Sequence, residues 1–270
     1  MDETPELVDI GANLTHDSFD ADRDAVIKRA AAAGVRQMVV TGASEQGSRD
    51  AVALAERYPG RLFATCGVHP HHASDYNEAT HATLSELLQH PCVVSAGECG
   101  LDYFRDFSPR DAQRDAFRRQ LDLAAERRLP VFLHQRDAHD DFLRILEPYL
   151  ATIPRAVAHC FTGERHMLQA YLELGLFIGI TGWICDERRG ARLLEFVAEI
   201  PDERLLIETD APYLLPRTLR PRPKSRRNEP SFLPEILRVL AAARNADPLT
   251  VAAHSTANAR LFFDLPEPPE

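Results

Sequence analysis

Long apolar runs are missing from this chain of 270 residues. Its longest uncharged apolar stretches fall well short of the roughly 20 residues that a membrane-crossing helix needs. The acidic start, MDETPELVDI, also lacks the basic region with which a secretory signal begins. We therefore expect a cytoplasmic protein with no membrane partner.

Cysteine is scarce and unpaired in the sequence. The five cysteines form an odd set without a CxxC pair, and four of them lie in or beside apolar runs: Cys66, Cys92, Cys99, Cys160 and Cys185. This pattern argues against a disulfide framework. Free thiols in a reducing compartment are the expected state.

Several motifs that would assign a function directly are absent. Neither GxGxxG nor GxxxxGK[ST] occurs, so neither common nucleotide-binding loop is present. No GxSxG elbow supports a serine nucleophile. A Pro/Ser/Gly-rich or highly charged linker is also missing near the midpoint, which predicts one domain over residues 1–270.

Positive charge is in short supply overall and concentrated in one place. The formal net charge of −10 argues against a protein that coats nucleic acid along an extended cationic face. A proline-rich stretch after Asp210 nevertheless carries a basic cluster of Arg217, Arg220, Arg222, Lys224, Arg226 and Arg227. Any one of these arginines is as readily a solvated loop residue as a phosphate contact. The cluster as a whole favours phosphate contact.

The sequence does contain a regular alternation of short apolar runs and amphipathic segments. The runs predict strands at 8–14, 36–43, 62–69, 92–98, 130–136, 155–161, 176–182 and 205–211. Strands that are apolar throughout are typical of a parallel sheet covered on both faces. Eight β/α units in this length predict an α/β fold, a (β/α)8 TIM-like barrel with its site at the carboxyl ends of the strands. An open doubly wound sheet is the alternative.

Four of the predicted strands end on residues that could bind a metal, namely Glu98, His134, His159 and Asp210. Either histidine alone is more often structural, and Asp210 alone could cap a following helix. A carboxylate that closes an apolar strand is costly to bury without a partner. Two imidazoles with one or two carboxylates are together a ligand set for a catalytic divalent metal, which predicts a metal-dependent hydrolase.

A series of motifs then carries a family resemblance: DIGANL, TCGVHPHH, GECGLDY, FLHQRDAH, AHCFTG, GITGWICDERR, LIETDAPYL and SRRNEP. In this order, and over nearly the whole chain, they resemble the TatD-type metal-dependent deoxyribonucleases. The resemblance implies an amidohydrolase-like barrel and magnesium-dependent hydrolysis of DNA. It further implies a 3′ to 5′ exonuclease that prefers single strands and also accepts RNA.

Carried over to this sequence, the resemblance implies that Glu98, His134 and His159 bind a divalent metal, most simply Mg²⁺, with Mn²⁺ or Zn²⁺ as alternatives. Asp210 would be a further ligand or the base that deprotonates the attacking water, so that Glu98 and Asp210 are the catalytic carboxylates. Phosphate contacts are expected from His69, Arg136, Arg226, Arg227 and Asn228. Trp183 and Tyr103 follow strand ends, where each could stack a terminal base or simply pack at the rim.

One departure from the wider family concerns the metal. Most members end the first strand with an HxH pair, where this chain has Asn13 and Thr15. Neutral oxygens bind a hard cation only weakly. We therefore expect one tightly held ion, with a second held at most transiently.

Two other functions stay open at this point, together with the quaternary state. The same metal site could hydrolyse an aminoacyl-tRNA ester or a small cyclic amide, or the chain could be an inactive binding protein. The substrate would be an end of single-stranded DNA or RNA, and a monomer is expected. A cellular role in DNA repair would suit such an enzyme.

Overall fold

The computed structural model describes residues 5–269, and its centre is one sheet of eight parallel strands in the order β1 to β8. The strands are β1 Leu7–Ala12, β2 Val35–Val40, β3 Leu62–Cys66, β4 Val93–Asp102, β5 Val131–Arg136, β6 Ala156–Ala158, β7 Phe177–Ile180 and β8 Leu205–Ile207. Each strand pairs with the next in sequence. The predicted (β/α)8 barrel is thereby confirmed.

The first and last strands approach each other at their carboxyl ends. The backbone N–H of Asn13 donates to the carbonyl of Ala211 at 2.7 Å, and that of Asp210 donates to Gly11 at 2.8 Å. These bonds join the two edges of the sheet. The carboxyl ends of all eight strands consequently lie on one rim, where side chains far apart in sequence meet.

Helices alternate with the strands and cover the outside of the barrel. They are α1 Arg23–Ala32, α2 Glu45–Glu56, α3 Glu78–Leu87, α4 Arg110–Arg127, α5 His139–Leu146, α6 Arg165–Glu173, α7 Ala191–Leu194, α8 Leu233–Ala243 and α9 Pro248–Phe263. Side-chain caps begin some of them, as where the Ser44 hydroxyl accepts a bond from the N–H of Gly47 at 3.0 Å. None of the helices in residues 5–269 has the apolar length to cross a bilayer.

The core has two layers. The larger layer lies between the sheet and the helices. The smaller layer fills the barrel with one or two apolar side chains from each strand: Val8, Ile10, Val39, Phe63, Val94, Phe132, Val157, Phe177 and Leu206. Phe262 and Phe263 of α9 pack against this inner layer. The site at the rim therefore stands on a packed interior.

Strand β4 differs most from the prediction because it continues past Glu98 to Asp102. Its pairing with β5 shifts register between Gly97 and Cys99. Gly97 has φ +125° and Gly100 has φ +144°, and a Cβ on either would collide with a carbonyl of β5. Glycine at both positions permits this close approach, which places Glu98 and Asp102 on the same strand at the rim.

Candidate active site

A cavity of about 630 Å³ opens at the carboxyl rim of the barrel. All four predicted strand-end residues line it, together with His69 and Arg136. Strand β6 ends one residue before His159 and β8 ends three residues before Asp210, so both residues lie in the loops that follow. The convergence predicted from the sequence is therefore present, although the residues lie in strands or in loops just beyond them.

Glu98 lies at the centre of a cluster of imidazoles. Its Oε1 is 2.8 Å from His159 Nε2 and 3.1 Å from His134 Nδ1. His69 Nε2 lies 3.4 Å from the same oxygen. The sequence predicted a substrate contact for His69, but its ring nitrogen belongs to this donor cluster: ligand atoms of His69, Glu98 and His134 lie within 4.8 Å of one another.

Glu208 positions His159 from the interior side. Its Oε1 accepts the backbone N–H of Cys160 at 2.6 Å, and its Oε2 lies 3.3 Å from His159 Nδ1. Glu208 has no exposed surface. The contact of Glu208 with Nδ1 fixes the ring of His159, so that Nε2 faces Glu98. The sequence shows Glu208 close to Asp210 in LLIETDAP, but it does not show that Glu208 contacts His159.

Asp102 is a site residue that the sequence analysis missed. It is buried, and its Oδ2 is 2.8 Å from His71 Nε2 and 3.3 Å from His134 Nε2. His71 lines the cavity together with His69. The signal was the second acidic residue in GECGLDY, four positions after Glu98. Asp102 therefore orients the ring of His134, which belongs to the cluster, and the ring of His71 at the edge of the cluster.

Asp210 lies on the side of the cavity where β1 and β8 meet. Its Oδ1 accepts a hydrogen bond of 3.0 Å from the amide of Asn13, which occupies the first position of the missing HxH pair. Burial, opposed by the charge of His159, raises the pKa of Asp210 to about 7. The charges of Glu98 and Glu208 act in the same direction as burial. Asp210 can therefore exchange a proton near neutral pH.

Thr15, at the second position of the missing pair, lines a separate cavity with Asp20, Arg23 and Asp50. Of the two substituted positions, Asn13 alone lines the active-site cavity. Its amide donates to Asp210 rather than offering a ligand on that side. The structure thus concentrates metal-binding atoms around Glu98.

The charges in the cluster match the chemistry of a cation site. Burial would favour a neutral Glu98, but the surrounding imidazoles hold the pKa of this carboxyl well below its usual range. Burial works against a charged His159 as well, yet Glu98 and Glu208 raise its pKa well above the usual value. Protons on His159 and His134, whose pKa values the neighbouring carboxylates raise against the effect of burial, occupy the place of a positive charge. An ion bound by a carboxylate and imidazole nitrogens would replace those protons, so the residues fit a divalent metal.

Arg136, for which the sequence predicts a phosphate contact, lies at the cavity. It lines the cavity, and its guanidinium lies 3.8 Å from the centroid of the Phe104 ring. Arg105 and Arg189 line the same cavity. Guanidinium groups are well suited to bind phosphate oxygens. Three arginines are therefore available where the end of a nucleic-acid strand would enter the cavity.

The other three predicted phosphate contacts lie elsewhere. Arg227 forms a two-bond ion pair with Asp22 at 2.7 and 2.8 Å, and Asn228 is fully buried, donating to the carbonyl of Thr209 at 2.9 Å. Both side chains fix the loop after β8 to its surroundings. Arg226 is exposed and lines a second cavity with Arg217 and Arg222. We therefore correct the assignment of Arg227 and Asn228 from substrate contacts to structural residues.

Aromatic side chains stand around the cavity. Trp183 lines it and lies beneath the Arg189 guanidinium, which is 4.5 Å from the ring centroid. Phe107 and Tyr213 line it as well, with 67% and 52% of their surface exposed. Tyr103 does not line it; its hydroxyl donates to Asp141 at 2.6 Å. Exposed aromatic rings beside arginines are typical of proteins that bind single-stranded nucleic acids.

Comparison with known families identifies this combination of barrel and site. The model of the TatD related DNase family matches residues 8–264. The chain belongs to the TatD family. The resemblance seen in the motifs is thereby confirmed, and family membership implies dependence on a divalent metal.

Curated relatives of this TatD-family chain match it along nearly its whole length. A protein of Erwinia billingiae named "3'-5' ssDNA/RNA exonuclease TatD" is 55% identical over 96% of this chain and 100% of that protein. One of Salmonella typhimurium with the same name is 52% identical over 96% of this chain and 99% of that protein.

Solved structures of TatD proteins share the fold. A TatD homologue from Escherichia coli, YJJV, has a TM-score of 0.89 and 29% identity, covering 98% of this chain and 100% of that chain. A TatD family hydrolase from Entamoeba histolytica has a TM-score of 0.88 and 27% identity, covering 96% and 98%. The barrel is therefore the architecture of this family.

Proposed function

We propose that the protein is a metal-dependent exonuclease that hydrolyses phosphodiester bonds at the 3′ end of single-stranded DNA or RNA. The observation that carries the proposal is the cluster of three imidazoles around Glu98 Oε1, at 2.8, 3.1 and 3.4 Å, in a cavity that arginines and aromatic rings surround. The names of relatives that are more than 50% identical support the substrate class.

The cation site comprises Glu98, His134 and His159, with His69 completing the donor set on the side of β3. These residues would hold a divalent cation, most simply Mg²⁺, which would supply Lewis-acid chemistry for phosphodiester hydrolysis. Glu208 and Asp102 hold the imidazoles in place through the contacts at 3.3 Å. Monomeric action in the cytoplasm and a role in DNA repair belong to the same proposal.

Asp210 is the base in this mechanism. Its carboxylate accepts the proton of the attacking water, and its pKa of about 7 suits transfer at neutral pH. The Asn13 amide, 3.0 Å away, fixes the orientation of the carboxylate. Arg136 and Arg189 neutralise the phosphate charge that builds up during attack. Trp183 and Phe107 offer ring faces for bases, each stacking contact contributing about 1–3 kcal/mol.

The number of metal ions bound per chain follows from the residues on the side of the cavity where Asn13 lies. Because the Asn13 amide bonds Asp210 and Thr15 lines another cavity, we expect one tightly held ion per chain. Elemental analysis after dialysis from saturating Mn²⁺ measures it. Two ions retained per chain would contradict the single-ion site.

The nearest alternative is an acyl ester of tRNA hydrolysed at the same metal site. Three arginines at the cavity suit any phosphate-bearing substrate, so the two functions must be compared directly. Incubating the enzyme and Mg²⁺ with an aminoacyl-tRNA, and separately with an end-labelled oligonucleotide, distinguishes the two functions. Release of mononucleotides without preferential deacylation is the expected result, and rapid deacylation without nucleotide release would overturn the proposal.

A further inference from the structure

The basic cluster after Asp210 forms a second cavity next to the active site. This cavity has a volume of about 410 Å³ and is lined by Leu215, Pro216, Arg217, Arg222, Pro223, Ser225 and Arg226. Leu214, adjacent to Leu215 in the chain, lines the active-site cavity. The two cavities therefore adjoin along one loop. We call the second one the basic groove.

Asp186 links the two cavities. Its carboxylate is 3% exposed and lies 2.9 Å from the Nε of Arg189 and 3.2 Å from the Nε of Arg217. Arg189 lines the active-site cavity, and Arg217 lines the basic groove. One carboxylate thus holds two guanidinium groups, one on each side of the boundary. A positive charge remains there, because two cations share a single anion.

The outer part of the basic groove carries cations without carboxylate partners. Arg222, Lys224 and Arg226 are exposed, and within residues 5–269 none of the three forms an ion pair. Most other arginines of this acidic protein do form ion pairs, as Arg227 does with Asp22. The exposed cations of this proline-rich loop, Arg222, Lys224 and Arg226, are available to an external anion.

We propose that the basic groove binds the phosphate backbone of the strand that extends from the active-site cavity. The inference rests on the proposed function, which places the 3′ end in the cavity. The chain 5′ of that end must leave the barrel, and the route past Trp183 and Arg189 to Arg217 is lined with a ring and guanidinium groups. Short substrates stay within the cavity, whereas longer ones reach Arg222 and Arg226.

The test compares two double variants that remove the same number of charges. The first is Arg222→Gln with Arg226→Gln in the basic groove. The second is Lys28→Gln on α1 with Arg36→Gln near the amino end of β2, both exposed and away from the carboxyl rim. KM and kcat are measured with Mg²⁺ on oligothymidylates of two, six and twenty nucleotides, and binding is measured by fluorescence anisotropy in chelator.

For the groove variant we expect KM for the longest substrate to rise on the order of tenfold, with a change under about twofold for the dinucleotide. The slope of log Kd against log salt should fall by about 1.4, since each lost contact to a single strand removes roughly 0.7. The Lys28/Arg36 variant should match wild type.

Equal behaviour of the two double variants would overturn the proposal, and so would an equal loss at every substrate length. Failure of wild type to cleave any oligonucleotide with Mg²⁺, Mn²⁺ or Zn²⁺ would instead refute the proposed function. In that event the anisotropy measurement still decides whether the basic groove binds single-stranded DNA.

Discussion

Replacing Glu98 with glutamine should abolish nucleotide release while the barrel stays folded. Glu98 Oε1 lies between His159, His134 and His69, and a neutral amide of the same size removes the charge at the centre of the cluster. Loss of about 4 kcal/mol of transition-state stabilisation corresponds to a fall of roughly 10³-fold in kcat/KM. Steady-state hydrolysis of a labelled oligonucleotide at saturating Mg²⁺ measures it.

The matched control is Glu86→Gln, which makes the same chemical change on the exposed face of α3. It should retain wild-type activity. Circular dichroism of both variants should be unchanged, and single-strand binding in chelator should survive in Glu98→Gln because Arg136, Arg189 and Trp183 remain. Activity of Glu98→Gln within tenfold of wild type would contradict the assignment of the cluster.

Replacing Asp210 with asparagine should lower kcat by about 10²- to 10⁴-fold without comparable loss of the metal. The amide cannot accept the proton of the attacking water. It keeps the size of the side chain and can still pair with Asn13, which now lies 3.0 Å from Oδ1. Single-turnover hydrolysis gives the chemical step, and Mn²⁺ titration by calorimetry gives the metal affinity.

Asp115→Asn, on an exposed position of α4, is the control for this second change. The outcome separates the two roles that sequence alone left open for Asp210. A fall in kcat at unchanged metal affinity supports the base. Activity restored by raising Mn²⁺ alone would contradict that role and make Asp210 a ligand.

The sequence was sufficient to predict the barrel because its strands are largely buried on both faces and therefore mainly apolar. Each of the eight predicted runs contains or overlaps an observed strand. The ends were less accurate: Glu98 lies inside β4, because glycines at 97 and 100 allow the strand to continue across a register shift to Asp102. Alternation of apolar residues does not reveal such a shift.

The residues for which chemistry is proposed were easier to find in the sequence than the residues that support them. Glu98, His134, His159 and Asp210 stand out because polar groups at the ends of apolar runs have no packing role. Asp102 acts by contacting His71 and His134, and its role depends on distances that only the fold supplies.

The segment after Asp210 contains two residues whose partners the sequence does not show. Its nearness to Asp210 in sequence suggested the substrate site, but the partner of Arg227 is Asp22, which precedes α1 and lies about two hundred residues away in the chain. Asn228 likewise has its partner in the backbone of Thr209 and is buried. Charge clustering indicates where cations gather but not which of them already have a partner.

Digestion of end-labelled linear and of circular single-stranded DNA, with Mg²⁺ and with chelator, tests the central claim most directly. The account predicts that mononucleotides are released from the linear strand alone, and that chelator or Glu98→Gln stops the release. Cleavage of the circle at a similar rate, or digestion that persists in chelator, would contradict a metal-dependent exonuclease at this rim.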